Sequence, residues 1–384
     1  MEKMKIKEIA TVISGSTPKT NIEEYWDGKL LWVTPAEIIE KDMYIYDTQR
    51  KITEEGAKSS SLKILPKNTV LLTSRAPIGK VAIAGEEMYC NQGFKNLICD
   101  ENIVKPKYMY YWLSSKKEYL NSLGRGATFK EVSKQIIENI EVPIQSIDSQ
   151  EKIINILDKA QQLIDKRQEQ IKELNELVKS RFIDKFGNVL TNDREWNFLK
   201  IQEFAEIVSG STPKTNVEEY WDGDEDWITP AELNEKSFIV NESARKITKE
   251  AIKSTSLKQF PRGTVILSSR APIGKVAIAG KDMYCNQGFK NLICDDRVNP
   301  IYMYWLLKQQ TNYLNSLGRG ATFKEISKSI VGEIKVSVPP IELQNEFADF
   351  VKQVDKLKAK MEMSIDELQE NFNSLMQRAF NGEI

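Results

Sequence analysis

The chain of 384 residues has 41% hydrophobic and 28% charged residues and a formal net charge of −1, the balance of an ordinary globular protein of two or three domains. It has no histidine, which removes the commonest general base, the commonest metal ligand and every Ser–His or Cys–His nucleophile pair. No apolar run is long enough to span a membrane, the first residues enter amphipathic sequence without an apolar signal core, and four cysteines make no secreted disulfide framework. The expectation is a cytoplasmic, reduced protein.

In chain order, the first feature is Ser-Gly-Ser-Thr-Pro-Lys-Thr-Asn at residues 14–21. Thr17, Lys19, Thr20 and Asn21 form a polar loop able to contact phosphates and base edges, with Trp26 packed beneath it rather than stacked on a base. Thr34-Pro-Ala-Glu37 predicts a helix start, with Thr as N-cap, Pro at the first position and Glu closing a capping box. Residues 69–73 and 80–84 predict short buried strands around a Pro-Ile-Gly turn flanked by Arg75 and Lys80. Such an arginine can take a guanine edge through two bonds; alternatively it pairs with acids of its own domain. Asn91, Gln92 and Lys95 follow, where the amides could meet adenine edges or bond within a turn. Cys90 and Cys99 have eight residues between them, too many for the usual zinc pair, and read as buried strand cysteines.

A packed helix is predicted at 107–113. Gly124-Arg125-Gly126 offers either a guanidinium near phosphate or a flexible link into a second capping box at Thr128 to Glu131. A narrow apolar stripe then runs through Ile153, Leu157, Ala160, Ile164, Ile171, Leu174 and Val178, broken by Arg167, on a charged segment without Gly or Pro. That is a coiled-coil seam.

Everything then repeats. The octet at 14–21 recurs at 209–216, residues 74–85 at 269–280 and 89–100 at 284–295, a shift of 195 that becomes 194 at 317–325. The second set of candidate contacts is therefore Thr212, Lys214, Thr215, Asn216, Arg270, Lys275, Asn286, Gln287, Lys290 and Arg319. A capping box is expected again at Thr229 to Glu232 and at Thr322 to Glu325. A second seam follows Phe347, Val351, Val354, Leu357, Met361, Ile365, Leu368, Phe372, Leu375 and Ala379. The unit is far longer than a solenoid repeat and can hold its own core, so whole domains are duplicated. Basic charge is local: residues 50–95 carry +4 and 245–290 carry +8, whereas 148–185 are neutral and 342–383 carry −4. Phosphate contact needs such local concentration rather than a high overall pI.

The expected fold is α+β: two tandem α/β domains separated by two long helices forming an antiparallel coiled coil, with a pseudo-twofold internal repeat. The boundaries are residues 1–147, 148–187, 188–341 and 342–384. A helix of this length spans on the order of 50 Å. An antiparallel pair would place the heads at its ends, able to reach major grooves about 34 Å or more apart.

With Ser-Gly-Ser-Thr-Pro at Ser14 and Ser209, Arg-Ala-Pro-Ile-Gly-Lys at Arg75 and Arg270, Gly-Ala-Thr at Gly126 and Gly320, and Phe-Gly and Phe-Asn-Gly at the helix ends, the chain resembles the specificity subunits of type I restriction-modification systems over essentially its whole length. The resemblance implies two target-recognition domains reading a bipartite site on double-stranded DNA. It also implies docking of modification subunits that carry S-adenosylmethionine and methylate adenine, with restriction subunits using ATP and Mg²⁺ where present. The chain itself would do no chemistry and bind no cofactor or metal. Consistently, it contains no Gly-x-x-x-x-Gly-Lys-Ser/Thr loop, no Gly-x-Gly-x-x-Gly turn and no Asn/Asp-Pro-Pro-Tyr. Near-identity of the heads implies an interrupted near-palindrome, limited by differences between residues 39–49 and 234–244. The alternatives are an adaptor whose repeated domains bind protein, or an enzyme whose motifs are not evident.

Overall fold

The computed structural model of the chain describes residues 1–39, 41–75, 77–126, 130–189, 191–233, 238–255, 257–270, 272–319 and 324–384. It divides into two compact units, Met1–Gln168 with Glu362–Ile384, and Glu169–Met361.

The first unit holds strands β1 (Glu2–Lys5), β2 (Ala10–Ser14), β3 (Trp26–Val33), β4 (Tyr44–Ile45), β5 (Lys51–Ile52), β6 (Val70–Leu72), β7 (Val81–Ala84), β8 (Tyr89–Cys90), β9 (Lys95–Cys99) and β10 (Glu141–Ile144). They form a five-stranded sheet in the order β2-β9-β6-β7-β4, a three-stranded sheet β5-β3-β8, and the pair β1-β10. The two strands predicted around the Pro-Ile-Gly turn are β6 and β7, paired antiparallel from Val70↔Ile83 to Leu72↔Val81. Both are buried throughout, so their sequences are apolar runs rather than alternations. Alternate residues of β6 face different cores. Val70 and Leu72 pack with Val81, Leu97 and the helix Pro106–Ser115, and Leu71 packs with Val33, Ala82 and Phe94.

The second unit repeats this arrangement. Its five-stranded sheet runs Ala205–Ser209, Lys290–Cys294, Val265–Leu267, Val276–Ala279, Ile239–Val240, and its three-stranded sheet runs Arg245–Ile247, Trp221–Ile228, Tyr284–Cys285.

Two helices of 40 and 41 residues, Ile147–Phe186 and Ile341–Asn381, carry the seams. In the first unit the start of one helix meets the end of the other: the Gln145 amide donates to the Ala379 carbonyl at 3.0 Å, and Leu157 and Ile164 share a core with Phe372 and Ala379. In the second unit Lys185 pairs with Glu346, and the Phe182 and Phe347 rings lie 5.3 Å apart. Within each unit, therefore, the helices run antiparallel as expected. Each head is locked on by an aromatic contact to the helix tail: Tyr108 against Phe380 at 5.3 Å, and Tyr302 against Phe186 at 4.8 Å. The tyrosine hydroxyls are satisfied by the carbonyls of Pro143 and Ser337, both at 2.8 Å.

Two local readings change. Leu357, expected on the seam, is 44% exposed. Steps of three and four from Val351 and Val354 lead to Lys358 and then Met361, and Lys358 is the half-buried residue; a lysine can bury its stem while its ammonium stays in water. The start predicted at Thr34 forms its capping box but only a three-residue 3-10 turn, Pro35–Glu37. The other Glu37 carboxylate oxygen accepts from the Gln49 amide at 2.7 Å, so the side chain joins two chain segments instead of leading a helix. The capping boxes expected at Thr128 and Thr322 lie outside the described residues. The helices beyond them, Lys134–Glu138 and Lys328–Glu333, are capped by Ser133 and Ser327.

Phe380 and Phe186 are buried at 7% and 1% exposure. Phe380→Ala and Phe186→Ala should each cost about 3–5 kcal/mol, read as a fall in the urea midpoint of unfolding with each unit monitored by its own probe.

Candidate nucleic-acid interface

In each unit four chain segments are joined in series by hydrogen bonds and backbone bridges, and together they are termed the ridge. The loop at 14–21 is held from beneath by two tryptophans. The Trp26 indole donates to the Lys19 carbonyl at 3.1 Å and the Trp32 indole to the Ser16 carbonyl at 3.2 Å. Trp221 and Trp227 do the same for Lys214 and Ser211, at 3.3 and 2.9 Å. The tryptophan pair is edge-to-face, with centroids 5.0 Å apart in the first unit and 5.2 Å in the second. With its backbone so fixed, the loop leaves Lys19, Thr20 and Asn21 exposed, and likewise Lys214, Thr215 and Asn216.

The loop joins the next segment through Thr17, whose hydroxyl bonds the Gln92 amide oxygen, and through the Ser16 amide, which donates to the Cys90 carbonyl at 3.0 Å. Thr212 and Gln287 repeat the side-chain bond. A Cβ on Gly15 would lie 2.1 Å from the Asn91 carbonyl oxygen, so this approach needs glycine. Asn91 turns inward and accepts from the Gly93 amide at 2.8 Å; Asn286 does so from Gly288 at 2.9 Å. Gln92 and Gln287 remain exposed.

Gly93 then leads to the third segment, its carbonyl accepting from the Ser74 amide at 2.7 Å. Arg75, beside Ser74, is 45% exposed and its Nε meets Glu131 at 2.9 Å. The backbone of Glu131 bridges to both Arg75 and Arg125, which sets the two arginines on either side of it. Arg270, Glu325 and Arg319 repeat these bridges. Arg125 and Arg319 are exposed.

Two more of the expected contacts, the lysines, turn to partners inside the domain. The Lys95 side chain is 8% exposed and its ammonium bonds Glu131 at 3.1 Å and Ser74 at 3.3 Å; Lys290 is placed the same way against Glu325 and Ser269. Lys80 donates to the Ile38 carbonyl at 2.9 Å, and Lys275 to those of Pro230 and Leu233. These lysines brace the ridge from within.

Sequence reasoning missed Arg50 and Arg245. Each exposed guanidinium lies 3.6 Å from the ring centroid of Trp26 or Trp221, a cation–π stack that holds a charge over the indole beneath the polar loop. The signal available was the recurrence of an arginine before the short strand at residues 51–52 and in its counterpart. Glu131 and Glu325 were read as capping residues, because their role needs the tertiary bridge.

The cysteines are structural. Burial pushes the thiols of Cys90, Cys99, Cys285 and Cys294 up to about 12, and Asn96 and Asn291 donate to the sulfurs of Cys90 and Cys285. Among the described residues no group of three His, Cys, Asp or Glu could hold a metal ion, and no helix is long and apolar enough to cross a membrane.

The profile of the family described as type I restriction modification DNA specificity domain matches residues 1–176 and again 193–370. The chain belongs to this family. It is 41% identical over 167 residues to the MjaIX specificity subunit of Methanocaldococcus jannaschii, which covers 43% of this chain and 39% of that protein. The match therefore spans about two fifths of that relative's length. The MjaVIII specificity subunit of the same organism aligns with 100% of this chain and 92% of its own length, at 21% identity. The fold matches a chain solved in work on complex assembly and conformational transition of the type I R-M system, with TM-score 0.68 at 18% identity over 100% of this chain and 98% of that one.

Burial pushes the Glu131 carboxyl up, but the hydrogen bonds from Lys95 and Arg75 outweigh it and hold the group below its ordinary value. Glu325 is held down in the same way by Arg270 and Lys290. A depressed folded value gives stability that is fully present above the ordinary value of 4.5 and is lost as pH falls through the folded one. The stability lost in Glu131→Gln and Glu325→Gln should accordingly be largest near pH 7 and shrink as pH falls below that value, measured by urea unfolding along a pH series.

Proposed function

We propose that this chain is the DNA sequence-reading subunit of a type I restriction-modification complex and is not itself an enzyme. The observation that carries this reading is the ridge of Thr17, Gln92, Arg75 and Arg125, built twice in one chain with the same internal bracing. Double-stranded DNA presents donors and acceptors in its major groove that exposed Arg, Asn and Gln side chains can pair with, and phosphates that Lys and Thr can contact. Family membership supports DNA and the other subunits of the complex as partners.

In this reading residues 1–147 and 188–341 are the recognition domains, and residues 148–187 and 342–384 space them. Arg75, Gln92 and Arg125, with Arg270, Gln287 and Arg319, face base edges or adjacent phosphates. Lys19, Thr20 and Asn21, with Lys214, Thr215 and Asn216, take phosphates. Thr17 and Thr212 orient the glutamines. Lys80, Asn91 and Lys95, with Lys275, Asn286 and Lys290, act from behind the surface. Modification subunits bring S-adenosylmethionine and transfer its methyl group to adenine; restriction subunits, where present, use ATP and Mg²⁺. The complex works in the cytoplasm. Because the ridges match, the target is an interrupted near-palindrome.

The chain with its modification partner should bind a cognate duplex in preference to random duplexes. Arg75→Ala with Arg270→Ala should weaken cognate binding at least tenfold, since each base-reading arginine contributes about 1–3 kcal/mol of discrimination. Equal binding of cognate and random duplexes by the wild-type complex would exclude sequence reading. Unchanged cognate affinity in the double variant would remove these arginines from it.

A further inference from the structure

A carboxylate on a surface that meets a polyanion is electrostatically unfavourable unless it serves the charges around it. Glu131 sits on the ridge with its side chain 34% exposed. One oxygen takes the buried Lys95 ammonium at 3.1 Å and the other takes Arg75 Nε at 2.9 Å. Its backbone is fixed on both sides: Glu131 and Arg125 exchange amide bonds at 2.9 and 3.0 Å, and the Val132 amide donates to the Ser74 carbonyl at 2.9 Å. The second unit repeats every part. Glu325 takes Lys290 at 3.3 Å and a terminal nitrogen of Arg270 at 2.9 Å, exchanges amide bonds with Arg319 at 3.0 Å each way, and is followed by the Ile326 amide on the Ser269 carbonyl at 2.9 Å.

Charge in this triad divides unequally. Lys95 is nearly out of solvent, so its charge needs a partner where it stands. It neutralises Glu131 from within, and the positive charge of Arg75 remains for whatever meets the surface. The guanidinium has five N–H donors in a rigid fork. Glu131 accepts from one of them, at Nε, and the fork has further N–H donors beyond that bond.

Building on the proposed function, we propose that Glu131 and Glu325 are positioning residues for base readout. Each is anchored by its buried lysine and holds its arginine in the orientation in which the remaining N–H groups meet a base edge. Fixing a long side chain before binding removes the ordering it would otherwise lose on the DNA. Because every base pair offers a different pattern there, the gain falls on cognate sequence alone.

The test uses the complete complex with its modification subunits and four duplexes: cognate, each half-site scrambled in turn, and random. Removal of an acid by itself should leave random-sequence binding equal or tighter. If the carboxylate positions arginine, Glu131→Gln lowers the cognate-to-random affinity ratio on the order of tenfold. Scrambling one half-site then costs it little, while scrambling the other costs as much as in wild type. Glu325→Gln exchanges the two half-sites. Glu131→Asp, which keeps the charge for Lys95 but shortens the reach to Arg75, should lose the same ratio with unchanged thermal unfolding. An unchanged ratio in a folded Glu131→Asp complex overturns the proposal, as does an equal loss on cognate and random duplexes. A wild-type complex without sequence preference overturns the proposed function as well, whereas wild-type preference retained in the variants overturns only the positioning role.

Discussion

Each unit depends on an aromatic contact made between distant stretches of chain. Tyr108 lies in the first head, and Phe380, whose ring packs against it, lies near the end of the second long helix. Tyr302 and Phe186 make the reciprocal arrangement. Because the tyrosine hydroxyl is also bonded to the strand that leads into the long helix, the ring ties together the head's packed helix, its last strand and the helix tail. A side chain bonded at its tip and packed on its faces has little freedom to rotate. The sheet, and with it the ridge, is thereby held in one orientation on its helices.

The ridge follows an electrostatic logic that the net charge of −1 conceals. Positive groups are not simply spread over a surface. Two lysines in each head point inward and satisfy carbonyls and carboxylates, which gives the surface arginines a rigid base. Other charges are held by rings, as Arg50 is by Trp26. The long helices contribute no net positive charge, so attraction for a polyanion is concentrated on the heads.

Much of the fold was legible because it rests on local patterns. The strands at 70–72 and 81–84 follow from apolar runs around a Pro-Gly turn, and the helices from a stripe with a period of three and four. Duplication strengthened each reading by offering it twice. The stripe misled at Leu357, which is exposed, because the geometric period required the next position, the half-buried Lys358. Less of the site was legible. Burial of Lys95 is not visible in a sequence that treats lysine as exposed, and its partner Glu131 is 36 residues away. The fit of Thr17 to Gln92 spans 75 residues. Composition can suggest which loops carry recognition chemistry; only tertiary closure decides which members face outward and which support them.

The two units also differ in how the chain supplies them. The second is one continuous stretch, Glu169–Met361, whereas the first needs Glu362–Ile384 in addition to its own Met1–Gln168. The bond from Gln145 to Ala379 closes a separation of 234 residues. Synthesis from the N-terminus usually lets the earlier domain finish folding first. Here the order is inverted. The first head leaves the ribosome early but lacks Phe372, Ala379 and Phe380 until the second unit has been made in full. A ribosome that stalls or terminates in the last helix would thus release a chain whose later half is whole and whose earlier half has an open core.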